Sequence, residues 1–179
     1  MVLISIIAAL FIPYALLIMY YWQSWNSIPL FQPSASQPST KISVIISARN
    51  EGTNIESLLQ SINNQLYPEE LFEVIVVDDN STDNTATLVR QFAFVKLISL
   101  KEDAINSYKK KAIEIGIAAA TGDLIITTDA DCIVTPEWLT TIENFYKQTG
   151  AVFIVAPVSL TPNPSPVGEG SAVIHKQPP

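Results

Sequence analysis

The sequence predicts an α/β protein, an open and mostly parallel sheet with helices on both faces. Two observations carry that expectation. Residues 41–48 (KISVIISA), 72–77 (FEVIVV) and 124–127 (LIIT) are continuous apolar or β-branched runs of strand length, as strands covered on both faces require. Between them lie segments with apolar residues at helical spacing, giving the order β-α-β-α-β-α-β-α-β. A third observation places the chemistry: each of those three runs ends in a polar cluster.

Residues 2–22 (VLISIIAALFIPYALLIMYYW) are apolar and uncharged. As a helix they would be roughly 30 Å long, the thickness of a bilayer's hydrocarbon core. Tyr20, Tyr21, Trp22 and Trp25 cluster at the end, as aromatics do at a membrane interface. No basic n-region or small-residue cleavage site marks a signal peptide. The expectation is a retained single-pass anchor over residues 1–25, then a short extended Pro/Ser/Gln-rich linker over 26–40.

The first strand ends at Arg49-Asn50-Glu51-Gly52, and Ile55, Leu58, Leu59 and Ile62 give the helix after it one apolar face. The second ends at Asp78-Asp79, and residues 85–92 read as a helix. A third strand covers 95–100, and Lys109 opens a helix to Ala120 that Gly122 ends as a C-terminal glycine. Thr135-Pro136-Glu137 begins the next helix, and 151–158 form the last strand. From Thr161 onward, Pro and Gly predict a disordered tail over 161–179.

Composition removes several function classes. The net charge of −7 disfavours nucleic acid as a partner. The single histidine, His175, lies in the tail, away from any triad or zinc site. The single cysteine, Cys132, permits no internal disulfide. There is no GxGxxG and no GxxxxGK[ST], which disfavours a dinucleotide fingerprint and a P-loop.

What remains is an acidic rim. In open α/β sheets the ligand crevice lies outside the carboxyl ends of the strands. Parallel strands bring Arg49-Asn50-Glu51, Asp78-Asp79 and Asp129-Ala130-Asp131 to that one rim. Asp129 and Asp131, two residues apart in extended chain, point to the same side. Their repulsion is relieved by a divalent cation bound through oxygen, and Mg²⁺ takes one or two carboxylates plus substrate phosphates. A solvated acidic turn is the simpler reading of that motif alone. Asp83 reads as a helix cap. Arg49 pairs with Glu51 or a rim acid, or contacts a ligand.

IISARNEGTNI, VIVVDDNSTDNT, the 109–120 helix with TGD after it, and LIITTDADC, in this order and spacing, resemble the successive motifs of family 2 glycosyltransferases with the GT-A fold. The resemblance covers residues 41–158. It implies a nucleotide-diphospho-sugar donor and an inverting transfer with Mg²⁺ or Mn²⁺. It implies that Asp78 and Asp79 bind base and ribose, that Ala48, Arg49 and Glu51 line the nucleotide pocket, and that Asp129 flanks ribose and metal. Asp131 would coordinate the ion directly. Lys109 matches the family's Lys-x-x-Ala pattern, with Glu114 standing where Asn is usual, and Lys111 is the alternative basic contact. The domain would occupy residues 41–160 and face the cytoplasm, with a lipid or glycan acceptor.

The resemblance stops after Val158. The acidic catalytic base and acceptor site expected beyond that point have no counterpart here, so the expectation is a C-terminally truncated enzyme with impaired transfer. The alternatives are a fragment that binds nucleotide sugar without transferring it, and a nucleotidyltransferase. The latter would show a Gly-rich basic loop where this chain has Arg49-Asn50-Glu51.

Overall fold

The computed structural model describes residues 2–28, 31–34, 36–100, 108–155 and 172–175, with side chains for 9–28, 31–34, 36–100 and 109–155. The chain divides into two units, Met1–Gln32 and Pro33–Pro179. The first unit is built on helix α1, Val2–Asn26, which contains Pro13. The expected span over residues 2–22 is not supported. Among the described residues no helix is long and apolar enough to cross a membrane. The described side chains of α1 begin at Ala9, and its last turns bring in Gln23, Ser24 and Asn26.

The second unit is the predicted α/β sheet. Its elements are β1 (Ile42–Ala48), α2 (Ile55–Asn63), β2 (Phe72–Asp79), α3 (Thr85–Val89), β3 (Val95–Leu100), α4 (Tyr108–Ala119), β4 (Leu124–Asp129), α5 (Trp138–Thr149), β5 (Phe153–Val155) and β6 (Ala172–His175). The strand order is β3-β2-β1-β4-β6-β5. The first four of these are parallel neighbours, and β6 and β5 continue the sheet antiparallel. The strand at Ala172–His175 corrects the expectation of disorder through the whole tail: its four residues pair with β4, and three of them also with β5. The rest of the tail lies outside the described residues.

Alternation along the strands divides the core in two. Val44, Ile46, Val74, Val76, Leu124 and Ile126 face a layer that includes Leu58, Leu59 and Ile62 of α2 and Leu139 and Ile142 of α5. Ile45, Ile75, Val77 and Ile125 face the other way, onto Ala112 and Ile117 of α4. This second face carries the site. Gly122 permits a close approach to the start of β1 rather than capping a helix. A Cβ there would lie 2.7 Å from the Ser43 backbone nitrogen, while α4 has already ended at Ala119. The left-handed C-cap glycine of this fold is Gly150, φ 63°, after α5.

The C-terminal part of the expected extended linker is fastened to α5 at Ser34, Ser36, Ser39 and Thr40. The wholly buried Glu143 of α5 accepts from the backbone N–H groups of Ser39 (2.9 Å) and Thr40 (2.8 Å), and Lys147 Nζ lies 2.7 Å from the same oxygen. Ser34 and Ser36 donate to Asn144 Oδ1, and the Tyr67 hydroxyl donates to the Thr40 carbonyl. Burial pushes the Glu143 carboxyl up, but Lys147 and the Ser39 and Thr40 donors outweigh it and hold it below the usual value. Burial, then the charge of Glu143, raises the Tyr67 phenol.

Candidate functional site

A cavity of about 600 Å³ opens at the carboxyl ends of β1, β2 and β4, within the range of small-molecule sites. Its wall is Ser47, Ala48, Arg49 and Glu51 after β1, Asp79 at the end of β2, Lys109 and Ala112 of α4, and Asp129, Ala130 and Asp131 at the end of β4. Parallel pairing builds it. Ala48 lies opposite Asp78 and Ser47 opposite Asp129 in the register, so the three ends stop level.

Strand parity selects the residues that enter. Asp79 follows Ile75 and Val77 on the α4 face, and Asp129 follows Ile125 and Thr127 there. Asp78 belongs to the opposite face. It is buried, lies off the cavity wall, and accepts from the Ser81 backbone N–H at 3.3 Å. The sequence-predicted residues Ala48, Arg49, Glu51, Asp79, Lys109, Asp129 and Asp131 are thus brought together, and Asp78 and Lys111 are not. Lys111 pairs with Glu114 at 3.4 Å, one turn along α4. Lys109 and Ala112 share a helix face, and Lys111 is off it.

Two ion pairs cross the cavity wall. Arg49 Nη1 lies 3.3 Å from Asp79 Oδ2, so Arg49 pairs with a rim acid. Lys109 Nζ lies 2.9 Å from Asp129 Oδ1 and 3.0 Å from Oδ2, gripping both oxygens. Cys132 is buried, its Sγ 4.0 Å from Asp131 Oδ1, and burial raises its thiol. That environment suits an uncharged packing residue rather than a nucleophile.

The sequence reading missed how the β1 and β2 loops hold each other. Asn50 and Asn80 both adopt left-handed backbone, φ 56° and 53°, a conformation Asn tolerates better than most residues. Asn50 Oδ1 accepts from the Thr82 backbone N–H at 2.9 Å, and the Asn50 N–H donates to Ser81 Oγ at 3.0 Å. The Glu51 N–H donates to Thr85 Oγ1 at 2.8 Å, and the Gly52 N–H to Asp83 Oδ2 at 3.0 Å. Asp83 also accepts from Thr85, first through the hydroxyl and then the backbone, which holds its carboxyl below the usual value. Asp83 therefore closes the turn into α3, whose N-cap position is Asn84, and fastens the two loops together. The signal for Asn50 and Asn80 was present: each is an Asn within two residues of a strand end, where a sharp turn is needed.

Among the described residues no three His, Cys, Asp or Glu side chains gather into a metal cage. Asp129 and Asp131 are a two-carboxylate set on one wall. That donor chemistry fits a hard cation completed by phosphate oxygens better than an all-protein site. The Lys109 ammonium already stands at Asp129 as a cation.

The mostly parallel sheet, with an acidic crevice at its switch point, defines an open α/β fold with its ligand crevice at the carboxyl ends of the strands. Residues 43–166 match the model of glycosyl transferase family 2, and the chain belongs to that family. It is 34% identical over 116 residues to the probable glycosyltransferase YdaM of Bacillus subtilis, covering 63% of this chain and 27% of that protein. Among solved structures, S. aureus TarS 1-349 in complex with UDP-GlcNAc superposes with a TM-score of 0.61 at 27% identity, covering 66% of this chain and 34% of that one. The glucosyl-3-phosphoglycerate synthase of Mycobacterium tuberculosis, in complex with Mn²⁺, UDP and glucosyl-3-phosphoglycerate, does so with a TM-score of 0.56 at 25% identity, covering 70% and 49%. The chain spans between 27% and 40% of the length of the first curated relatives it matches.

Proposed function

We propose that this chain holds the nucleotide-diphospho-sugar donor of an inverting glycosyltransferase, in the cavity on the α4 face. The observation that carries the reading is the convergence of Arg49, Asp79, Lys109, Asp129 and Asp131 from three strand ends and one helix on one wall. Asp79, oriented by Arg49, accepts hydrogen bonds from the base or ribose. Ala48 and Glu51 bound the nucleotide beside them. Asp78 acts from behind, through Ser81 and the Asn50–Thr82 fastening. Asp129 and Asp131 hold Mg²⁺ or Mn²⁺ against the diphosphate, and Lys109 supplies a further positive charge there. Held there, a divalent cation would supply electrostatic stabilisation of the diphosphate leaving group. The M. tuberculosis neighbour, solved with UDP and Mn²⁺, supports this assignment by analogy. We assign no catalytic base and no acceptor site among the described residues.

Calorimetric titration of UDP and GDP into the protein tests the reading. Affinity for the preferred nucleotide is expected to be at least about thirtyfold higher with Mn²⁺ than with excess chelator, the order of one charged partner lost. Equal affinity in both would remove the metal from the assignment.

We propose also that residues 2–22 attach the chain to a membrane, with the domain facing the cytoplasm. The support is an uncharged run whose described part exposes Leu10, Phe11, Ile12, Leu16, Leu17 and Ile18. In washed membranes the protein is expected to stay in the pellet through alkaline carbonate. Release into the supernatant would contradict attachment by this segment.

A further inference from the structure

We infer that Lys109 is the internal counter-cation of the cavity, and that its exchange for a divalent cation makes metal binding depend on the nucleotide. The inference rests on the donor-site reading above and gives Lys109 a role beyond phosphate contact.

Lys109 Nζ sits 2.9 Å and 3.0 Å from the two oxygens of Asp129. An ammonium straddling both oxygens occupies the approach a divalent ion would use to that carboxylate. The two partners differ in freedom. The Asp129 side chain is 23% exposed and fixed at the end of β4, opposite Ser47, whereas the Lys109 side chain is 56% exposed in the first turn of α4. The lysine can swing away without unpacking the core, and the aspartate cannot.

The charges on the wall say when it would swing. Among the described residues of the wall, four acids, Glu51, Asp79, Asp129 and Asp131, accompany two bases, Arg49 and Lys109. Arg49 is engaged with Asp79, so Lys109 offsets the Asp129–Asp131 end. A bare cation arriving there must part a salt bridge and then sit beside an ammonium, which repels it. A nucleoside diphosphate changes both conditions. Its phosphates give the ammonium a new charge-assisted partner, and they supply the oxygens that complete the cation's coordination. Metal and nucleotide then enter as one exchange: the lysine moves from carboxylate to phosphate while the ion takes its place. By linkage, the factor by which nucleotide tightens metal equals the factor by which metal tightens nucleotide.

Removing the ammonium should therefore have opposite effects on the two states. The test counts free Mn²⁺ by electron paramagnetic resonance, using the full chain in detergent, with and without UDP, for the wild type, Lys109→Met and Lys109→Arg. Lys109→Met is expected to bind Mn²⁺ alone about tenfold more tightly than the wild type, because a like charge at ion-pair distance in a half-open site is gone. The tightening of Mn²⁺ by UDP is expected to fall by about tenfold or more in that variant. Lys109→Arg keeps the charge and a two-pronged grip on a carboxylate, so its affinity for Mn²⁺ alone should stay at the wild-type level. Thermal melts should be unchanged, since Lys109 is exposed. Unchanged or weaker binding of Mn²⁺ alone by Lys109→Met, with UDP-dependent binding intact in the wild type, would overturn the exchange. Failure of the wild type to bind Mn²⁺ even with UDP, or binding indifferent to Asp131→Asn, is a separate result that overturns the donor-site reading and this inference with it.

Discussion

In the Asp131→Asn variant, UDP is expected to bind with nearly the same affinity in Mn²⁺ as in excess chelator. Asp131 stands just beyond the end of β4 on the cavity wall, beside Asp129. Before nucleotide arrives Asp129 is engaged by the Lys109 ammonium, so Asp131 is the carboxylate that an entering cation would meet first in the proposed site. An amide keeps the size and one acceptor oxygen but loses the charge a hard cation requires. The loss of nucleotide affinity in Mn²⁺ should be about 2–3 kcal/mol, the order for a charge-assisted contact. The fold should be almost unaffected. Asp131 is only partly buried, and its one protein contact noted above is the long approach of Cys132 Sγ. A melting temperature lowered by several degrees would mean that the residue acts in folding rather than in binding.

Glu143→Ala should give the largest loss of stability, about 3 kcal/mol, read by urea denaturation of the purified chain. Three donors converge on its buried carboxylate: the backbone N–H groups of Ser39 and Thr40, and Lys147. Removing it leaves two amide groups and an ammonium without their acceptor, and breaking a buried ion pair from one side costs about this much. Residues 33–40 should then become open to proteinase K, as an extended linker without these contacts would be from the start. Because the folded carboxyl titrates below its ordinary value, its contribution is present above the unfolded glutamate value, about 4.3, and is lost as pH falls through the folded one. Resistance to proteinase K should therefore hold between pH 7 and pH 5. Early cleavage of the wild type in that window would contradict the fastening.

The sheet was legible because buried parallel strands leave an unmistakable pattern in sequence: Val44, Ile45 and Ile46 are apolar in succession because both faces are covered. The rim was legible because strand ends carry the ligand crevice. Which of two adjacent acids enters the crevice was not taken from the pattern, although strand parity held the answer. Asp79 shares parity with Ile75 and Val77, and Asp78 with Val76. The choice becomes readable only once α4 is known to pack on the Ile75 side. Lys109 and Lys111 follow the same logic on a helix. The fastening of residues 33–40 could not be read, since Ser39 and Glu143 lie 104 residues apart and a Glu among apolar positions of a helix looks solvent-facing. The strand at Ala172–His175 was hidden by its shortness and by the proline-rich stretch before it.

The most direct measurement of the central claim is paramagnetic broadening of backbone amide signals in ¹⁵N-labelled protein with UDP and substoichiometric Mn²⁺. The account predicts that broadening is centred on Ala130, Asp131 and Cys132 and reaches Ala48, Arg49, Asp79 and Lys109, with none when UDP is omitted at the same Mn²⁺ concentration. Broadening centred elsewhere on the sheet, or equally strong without UDP, would contradict a nucleotide-dependent metal site at the end of β4.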